Sequence, residues 1–210
     1  MFDLYTYATP NGQRASIMLE ETGQPYTVHW VNLIQGEQQQ PAFLKLNPTG
    51  RIPVLVDHNA SGGQPLVLTQ SVAIVQYLAE KTGTLLPKGQ DMRARVYEWM
   101  QFHATDIGAT FLSAFYLQRR SFLGLSLSAT LLKKRAFELY RHFDAQLTKH
   151  PFLAGPEYTI ADVIAFPGVL AQEKRLGDYR HLNRWLQALK QRPQIQRGLA
   201  ASSREGGHAG

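Results

Sequence analysis

The chain has 210 residues and a mass of 23.6 kDa, with 44% hydrophobic and 18% charged residues, enough for one large or two small domains with a proper core. It has no cysteine, which excludes disulfides, thiolate metal sites and a cysteine nucleophile. The net charge of +6 is uneven: residues 1–80 carry three cations against six anions and the remainder 19 against ten, as expected of two units with different surfaces.

A basic half raises the question of nucleic acid. Its cations are spread along several expected helices with no recognition motif and no interleaved aromatics, so no nucleic-acid partner is expected. They suit attraction of an anionic small ligand. No basic leader with an apolar core opens the chain, and no apolar run reaches the roughly 18 residues that span a bilayer, so the expectation is a cytoplasmic protein without a membrane partner. His29, His58, His103, His142, His150, His181 and His208 lack metal-ligand spacing, and no metal is expected.

In chain order, residues 2–7 read as a strand rich in aromatic and β-branched types. Thr9-Pro10-Asn11-Gly12 has turn chemistry. Residues 13–22 have helical spacing and Gly23 supplies their stop. Residues 26–31 read as a second strand, and 32–43 as a polar loop with a short helix. Residues 47–57 combine a turn (Asn47, Pro48, Gly50) with a short apolar run at 52–56 that suits a buried strand. Pro53 sits at the start of that strand, where a missing donor is tolerated, and the Ile52–Pro53 bond is expected to be cis. That leaves the N–H and C=O of Ile52 free to pair with an extended, peptide-like ligand. Residues 66–68 are its hairpin partner, and 72–81 form a helix behind Thr69-Gln70-Ser71.

From residue 91 on, nothing resembles a sheet. Residues 93–118 and 127–148 are long amphipathic stretches. Thr159-Ile-Ala-Asp162 is a capping-box variant ahead of the apolar run 163–170, which marks a buried helix. Residues 180–192 form one more helix. The expected organisation is therefore an α/β domain followed by an all-α one: a βαβ(α)ββα unit over 1–81, a linker at 82–90, a helical domain at 91–200 and a flexible tail at 201–210.

This order, with three motifs, resembles the glutathione S-transferase superfamily. Arg51-Ile52-Pro53-Val54-Leu55 is similar to the proline-bearing loop of its thioredoxin-like domain. Gln70-Ser71-Val72-Ala73-Ile74 is similar to the motif that holds the glutamyl end of glutathione, and Thr159-Ile-Ala-Asp162 to the buried N-cap of the helical domain. The stretch from Tyr7 to Gly12 looks most like the bacterial Nu-class, disulfide-bond oxidoreductase-like branch.

The resemblance implies glutathione as co-substrate. Ser71 lies at a helix N-terminus, which favours a carboxylate, and Gln70 offers both a donor and an acceptor to the glutamyl group. Ile52 and Pro53 are expected at the cysteinyl backbone, with Gln38 and Arg51 at the glycyl end. The thiol must come from the ligand, and the enzyme's task is to keep it ionised. In the resembling branch Thr9 and Asn11 do this, with Tyr7 as the rival donor; each also has a structural reading, as a turn or as core. Phe111, Phe115, Tyr116 and Arg119 are candidates for the second substrate, or else a stripe of helix–helix core. The implied activity is attack of glutathione thiolate on an electrophile, a disulfide or a peroxide, in a homodimer. A superfamily member that has lost catalysis and only binds is the alternative.

Overall fold

A computed structural model of the chain describes residues 1–122 and 126–203. It divides into two compact units, one formed by residues 1–86 with the chain from 189 onward, the other by 87–188.

The first unit runs β1 (Phe2–Thr6), α1 (Pro10–Thr22), β2 (Tyr26–Trp30), a 3-10 turn (Glu37–Gln39), α2 (Pro41–Leu46), β3 (Val54–Asp57), β4 (Leu66–Leu68) and α3 (Ser71–Thr82). The sheet order is β2-β1-β3-β4. β1 pairs parallel with β2 across the α1 crossover, and antiparallel with β3, which closes the hairpin with β4. Strand alternation gives β1 two faces. Phe2, Leu4 and Thr6 are buried, and α1 and α3 add Ile17, Met18, Ile74 and Leu78 to the buried set. Tyr5 and Tyr7 face the other way, onto a cluster of Val31, Phe43, Ile52 and Val54.

α1 begins earlier than its apolar spacing indicates. Thr9 is its N-cap, accepting from the Gly12 N–H at 3.2 Å, and Pro10 occupies the first turn, where its missing N–H costs nothing. The Thr-Pro-Asn-Gly stretch is thus the first turn of a helix rather than a free turn. A Cβ on Gly12 would lie 2.2 Å from the Tyr7 carbonyl oxygen, so only glycine lets α1 start this close to the end of β1.

A helix not anticipated from the sequence, α9 (Pro193–Ala201), packs on α1. A Cβ on Gly198 would lie 2.5 Å from the Ile17 Cα, and Ser16 Oγ donates to the Gly198 carbonyl at 2.6 Å. Arg192 makes a two-pronged bond to Glu21 at 3.0 and 3.1 Å, and Arg197 meets Glu20 at 2.6 Å. These contacts take the end of the 91–200 segment into the first unit. Ser202 is fully buried, so order extends into the expected tail; residues 204–210 of that tail lie outside the described residues.

The second unit comprises α4 (Gln90–Gln101), α5 (Ala109–Arg120), α6 (Leu127–Lys149), α7 (Ile160–Leu170) and α8 (Arg180–Lys190). α4 and α5 were expected as one continuous helix. A π-helical segment, Phe102–Gly108, separates them and turns both His103 and Ile107 inward. α7 is buried on all sides and carries the capping box at Thr159 and Asp162. The Asp162 carboxylate accepts from the Leu153 N–H at 3.0 Å, the Thr159 N–H at 3.0 Å and the Trp185 indole N–H at 2.8 Å. Complete burial pushes this carboxyl up to about 6 against those donors.

Asp162→Ala takes the acceptor from those three buried N–H donors and from the Thr159 hydroxyl, and should lower stability by about 3 kcal/mol, read from urea unfolding. Because the folded carboxyl titrates near 6 and the unfolded one near 3.8, this group stabilises the protein fully below the lower value and loses that contribution as pH rises through the upper one. The variant should lack that part of the pH slope.

Candidate functional site

The expected glutathione-binding residues fall in three segments of the first unit, and the structure ties these together. The first is the β1–α1 junction. With Thr9 Oγ1 engaged as acceptor by the Gly12 N–H, the hydroxyl hydrogen of Thr9 remains to donate outward. Asn11 is half-buried in the first turn, and its Oδ1 accepts from Arg14 Nη1 at 2.7 Å. Tyr7 is occupied differently. Its ring leans on Trp30 with centroids 4.9 Å apart, and it packs on the apolar cluster beneath β1. Those contacts are the packing that the core reading of Tyr7 describes.

The second segment is the loop into β3. Asn47, almost fully buried, organises it: Nδ2 donates to the Arg51 carbonyl at 2.6 Å, while Oδ1 accepts from the Thr49 N–H at 3.1 Å and the Thr49 hydroxyl at 2.8 Å. The Ile52–Pro53 peptide is cis. The β1–β3 ladder begins at Val54 opposite Tyr5, so the backbone of Ile52 lies ahead of it. Gln39 Nε2 donates to the Gly50 carbonyl at 3.4 Å and fastens the 3-10 turn, which includes Gln38, to this loop. Gln38 Oε1 is buried with no hydrogen-bond partner among the described residues.

The third segment is the start of α3. Gln70 is its N-cap, exposed and with no side-chain bond to the helix, so its amide is left for other use. Ser71 opens the helix, where the first-turn backbone N–H groups lack intrahelical partners. Its hydroxyl accepts from Arg14 Nη1 at 3.2 Å. Arg14, only 6% exposed, therefore joins the first segment to the third. Sequence reading passed it over, because an arginine in an amphipathic helix defaults to the solvent face.

A family model described as the glutathione S-transferase N-terminal domain matches residues 8–81, and one described as its C-terminal domain matches residues 106–201. The chain belongs to the glutathione S-transferase family. Among relatives of this transferase, the Escherichia coli disulfide-bond oxidoreductase YfcG is 32% identical, with 92% of each chain covered. The Escherichia coli disulfide-bond oxidoreductase YghU is 33% identical over 97% of this chain and 75% of its own. A glutathione transferase structure from Burkholderia graminis, with two glutathione molecules bound per subunit, superposes with a TM-score of 0.88 at 32% identity, covering 97% of this chain and 89% of that one. One from Pseudomonas putida, with one glutathione disulfide per subunit, gives 0.86 at 32% identity, covering 94% and 90%.

The four second-substrate candidates lie in the second unit and part company there. Phe111 is drawn into the α5–α6 core, edge-on to Phe137 at 5.4 Å and beside Tyr140 at 5.9 Å. Phe115 and Tyr116 are about half exposed and pack edge to face at 5.7 Å, with the Arg119 guanidinium 5.6 Å from the Phe115 ring. Among the described residues, no group of three or more acidic or histidine side chains is gathered as a metal site.

Asn47→Ala removes three bonds from a buried loop. It should cost about 2 kcal/mol and speed amide exchange at residues 49–52 while the α1 amides stay protected, measured by native-state hydrogen exchange.

Proposed function

We propose that this transferase binds glutathione along the edge formed by Arg51, Ile52 and Pro53 and uses the glutathione thiolate as nucleophile. The observation that carries this reading is the polarity of the junction: Thr9 and Asn11 both have their acceptor atoms engaged internally and present hydrogen-bond donors. A sulfur anion accepts hydrogen bonds and gives none, so two aimed donors favour it over the neutral thiol, which otherwise titrates near ~8.5. The tripeptide's other groups suit the remaining residues. Ser71 and the first-turn N–H groups of α3 match the glutamyl carboxylate, Gln70 the glutamyl amide and amine region, and Gln38 and Arg51 the glycyl end. The N–H and C=O of Ile52 suit the cysteinyl backbone, as in strand addition.

The reaction we assign is thiol–disulfide exchange: the ionised sulfur attacks one sulfur of a disulfide, the S–S bond breaks, and the other sulfur leaves as thiolate. A second glutathione thiolate resolves the mixed disulfide, giving glutathione disulfide and a free thiol. The names of YfcG and YghU, and the glutathione disulfide or paired glutathiones in the structural neighbours, support this over conjugation. Phe115, Tyr116 and Arg119 are the residues we assign to the partner substrate, an apolar surface with one cation. The working form in this reading is a cytoplasmic homodimer.

Thr9→Ala and Asn11→Ala should each lower kcat for glutathione-dependent reduction of a small disulfide by about 10- to 100-fold, with KM for glutathione changed less than threefold. Tyr7→Phe should stay within threefold of the wild type. Steady-state assays at varied glutathione concentration read both values, and a silent pair with an inactive Tyr7→Phe refutes the assignment. Calorimetry with reduced and with oxidised glutathione separates the enzyme from a bare binding protein: micromolar binding of either form is expected, and no binding at millimolar ligand sinks the reading.

A further inference from the structure

We infer that Arg14 is a positioning residue that sets the hydrogen-bond polarity of the site at two places at once, turning the Asn11 amide N–H toward the glutathione sulfur and the Ser71 O–H toward the glutamyl carboxylate. The inference rests on the glutathione reading above and assigns a role to a side chain that touches neither group.

The chemistry is one of elimination. A guanidinium donates and cannot accept. Nη1 carries two N–H bonds, and it lies 2.7 Å from Asn11 Oδ1 and 3.2 Å from Ser71 Oγ. Each of those oxygens therefore acts as an acceptor toward Arg14. For Asn11 this fixes the amide's orientation: with Oδ1 held, the two Nδ2 hydrogens face the other way. For Ser71 it fixes the hydroxyl rotor, since an oxygen accepting from Arg14 directs its own hydrogen elsewhere. Both groups could otherwise present an acceptor lone pair to the ligand, and toward an anion that choice is repulsive. Arg14 removes the choice. It is 6% exposed and locked within α1, so it works as fixed geometry rather than as a mobile cation. Asn11 and Arg14 are one helical turn apart, whereas Ser71 comes from α3, so the bond also holds the two helix starts in register.

A lysine has no planar fork and holds its charge at a single nitrogen on a flexible stem, so Arg14→Lys keeps the charge while relaxing the geometry. The measurements are the thiol pKa of bound glutathione, titrated by thiolate ultraviolet absorbance, and the glutathione Kd by calorimetry. In the wild-type background Arg14→Lys should cut the thiolate fraction on the acid side of the titration about tenfold and weaken Kd about tenfold. In an Asn11→Ala background it should leave the thiol pKa where Asn11→Ala alone puts it. In a Ser71→Ala background it should leave Kd where Ser71→Ala alone puts it. A role confined to packing would lower the thermal midpoint and add to both single variants alike, and additive effects in both backgrounds overturn the inference.

Should Arg14 variants not fold, Asn11→Asp carries the test. It gives Arg14 a better acceptor and the sulfur no donor, so the protein should hold or raise its thermal midpoint while the bound thiol's pKa rises. A thiol pKa equal to the wild type's in Asn11→Asp overturns the inference. Wild-type protein that binds neither form of glutathione removes the underlying reading; wild-type binding with additive Arg14 effects removes the role of Arg14 alone.

Discussion

A chain without cysteine handles thiol chemistry only by taking the sulfur from its ligand, and an ionised sulfur accepts hydrogen bonds but donates none. The site must therefore be built from donors. Its candidate side chains, Thr, Asn and Ser, are ambivalent, able to offer either polarity. The protein resolves this by satisfying their acceptor atoms from within: the Gly12 N–H engages Thr9, and Arg14 engages Asn11 and Ser71. What faces outward is then donor by default.

That arrangement makes α1 the element on which the site depends. It supplies the cap, Asn11 and Arg14, and its position is fixed at both ends by close backbone approach. Gly12 lets the first turn press against the end of β1, and Gly198 lets α9 lie directly on Ile17. With α3 packed along another side, α1 has little freedom to shift. Packing on the far side of α1 thereby holds the first turn, which carries Thr9 and Asn11, in place. The buried Asn47 does the same for the second segment, tying together the turn at residues 47–51 that precedes β3.

Much of the fold was legible because its signals are local. The apolar run into β3, the proline at its start, the hairpin partner at Leu66–Leu68 and the capping box at Thr159 each declare themselves within a few residues. α9 was not legible, since its nine residues are marginal as a helix and are held by Ser16, Glu20 and Glu21, more than 170 positions earlier. The π-helical segment escaped for a related reason: an extra residue in one turn leaves the apolar spacing on either side intact. In the candidate site, Thr9 and Asn11 were named from the resemblance and their place at the strand-to-helix turn, and Ser71 from helix-start chemistry as well. Arg14 was half legible. Its bond to Asn11 is a three-residue helical pair, visible once α1 is known to start at Pro10, but its bond to Ser71 spans 57 positions and belongs to the tertiary fold.

In the proposed reading Arg14 stands behind Asn11 rather than on the sulfur, which bears on the reaction the site favours. A guanidinium directly on the thiolate would lower its pKa further, but nucleophilicity falls with pKa along a Brønsted slope of about 0.4–0.5, so an over-stabilised thiolate attacks slowly and leaves readily. Conjugation asks only for attack, whereas disulfide exchange asks the same kind of site to stabilise sulfur both as it arrives and as it departs. On that reading two neutral donors, a hydroxyl and an amide, give intermediate stabilisation, with the cation behind them polarising the amide. In the proposed reading, a site graded in this way treats the two directions of thiolate exchange evenly, which suits a reductase that must turn over through a mixed disulfide better than one tuned for a single irreversible attack.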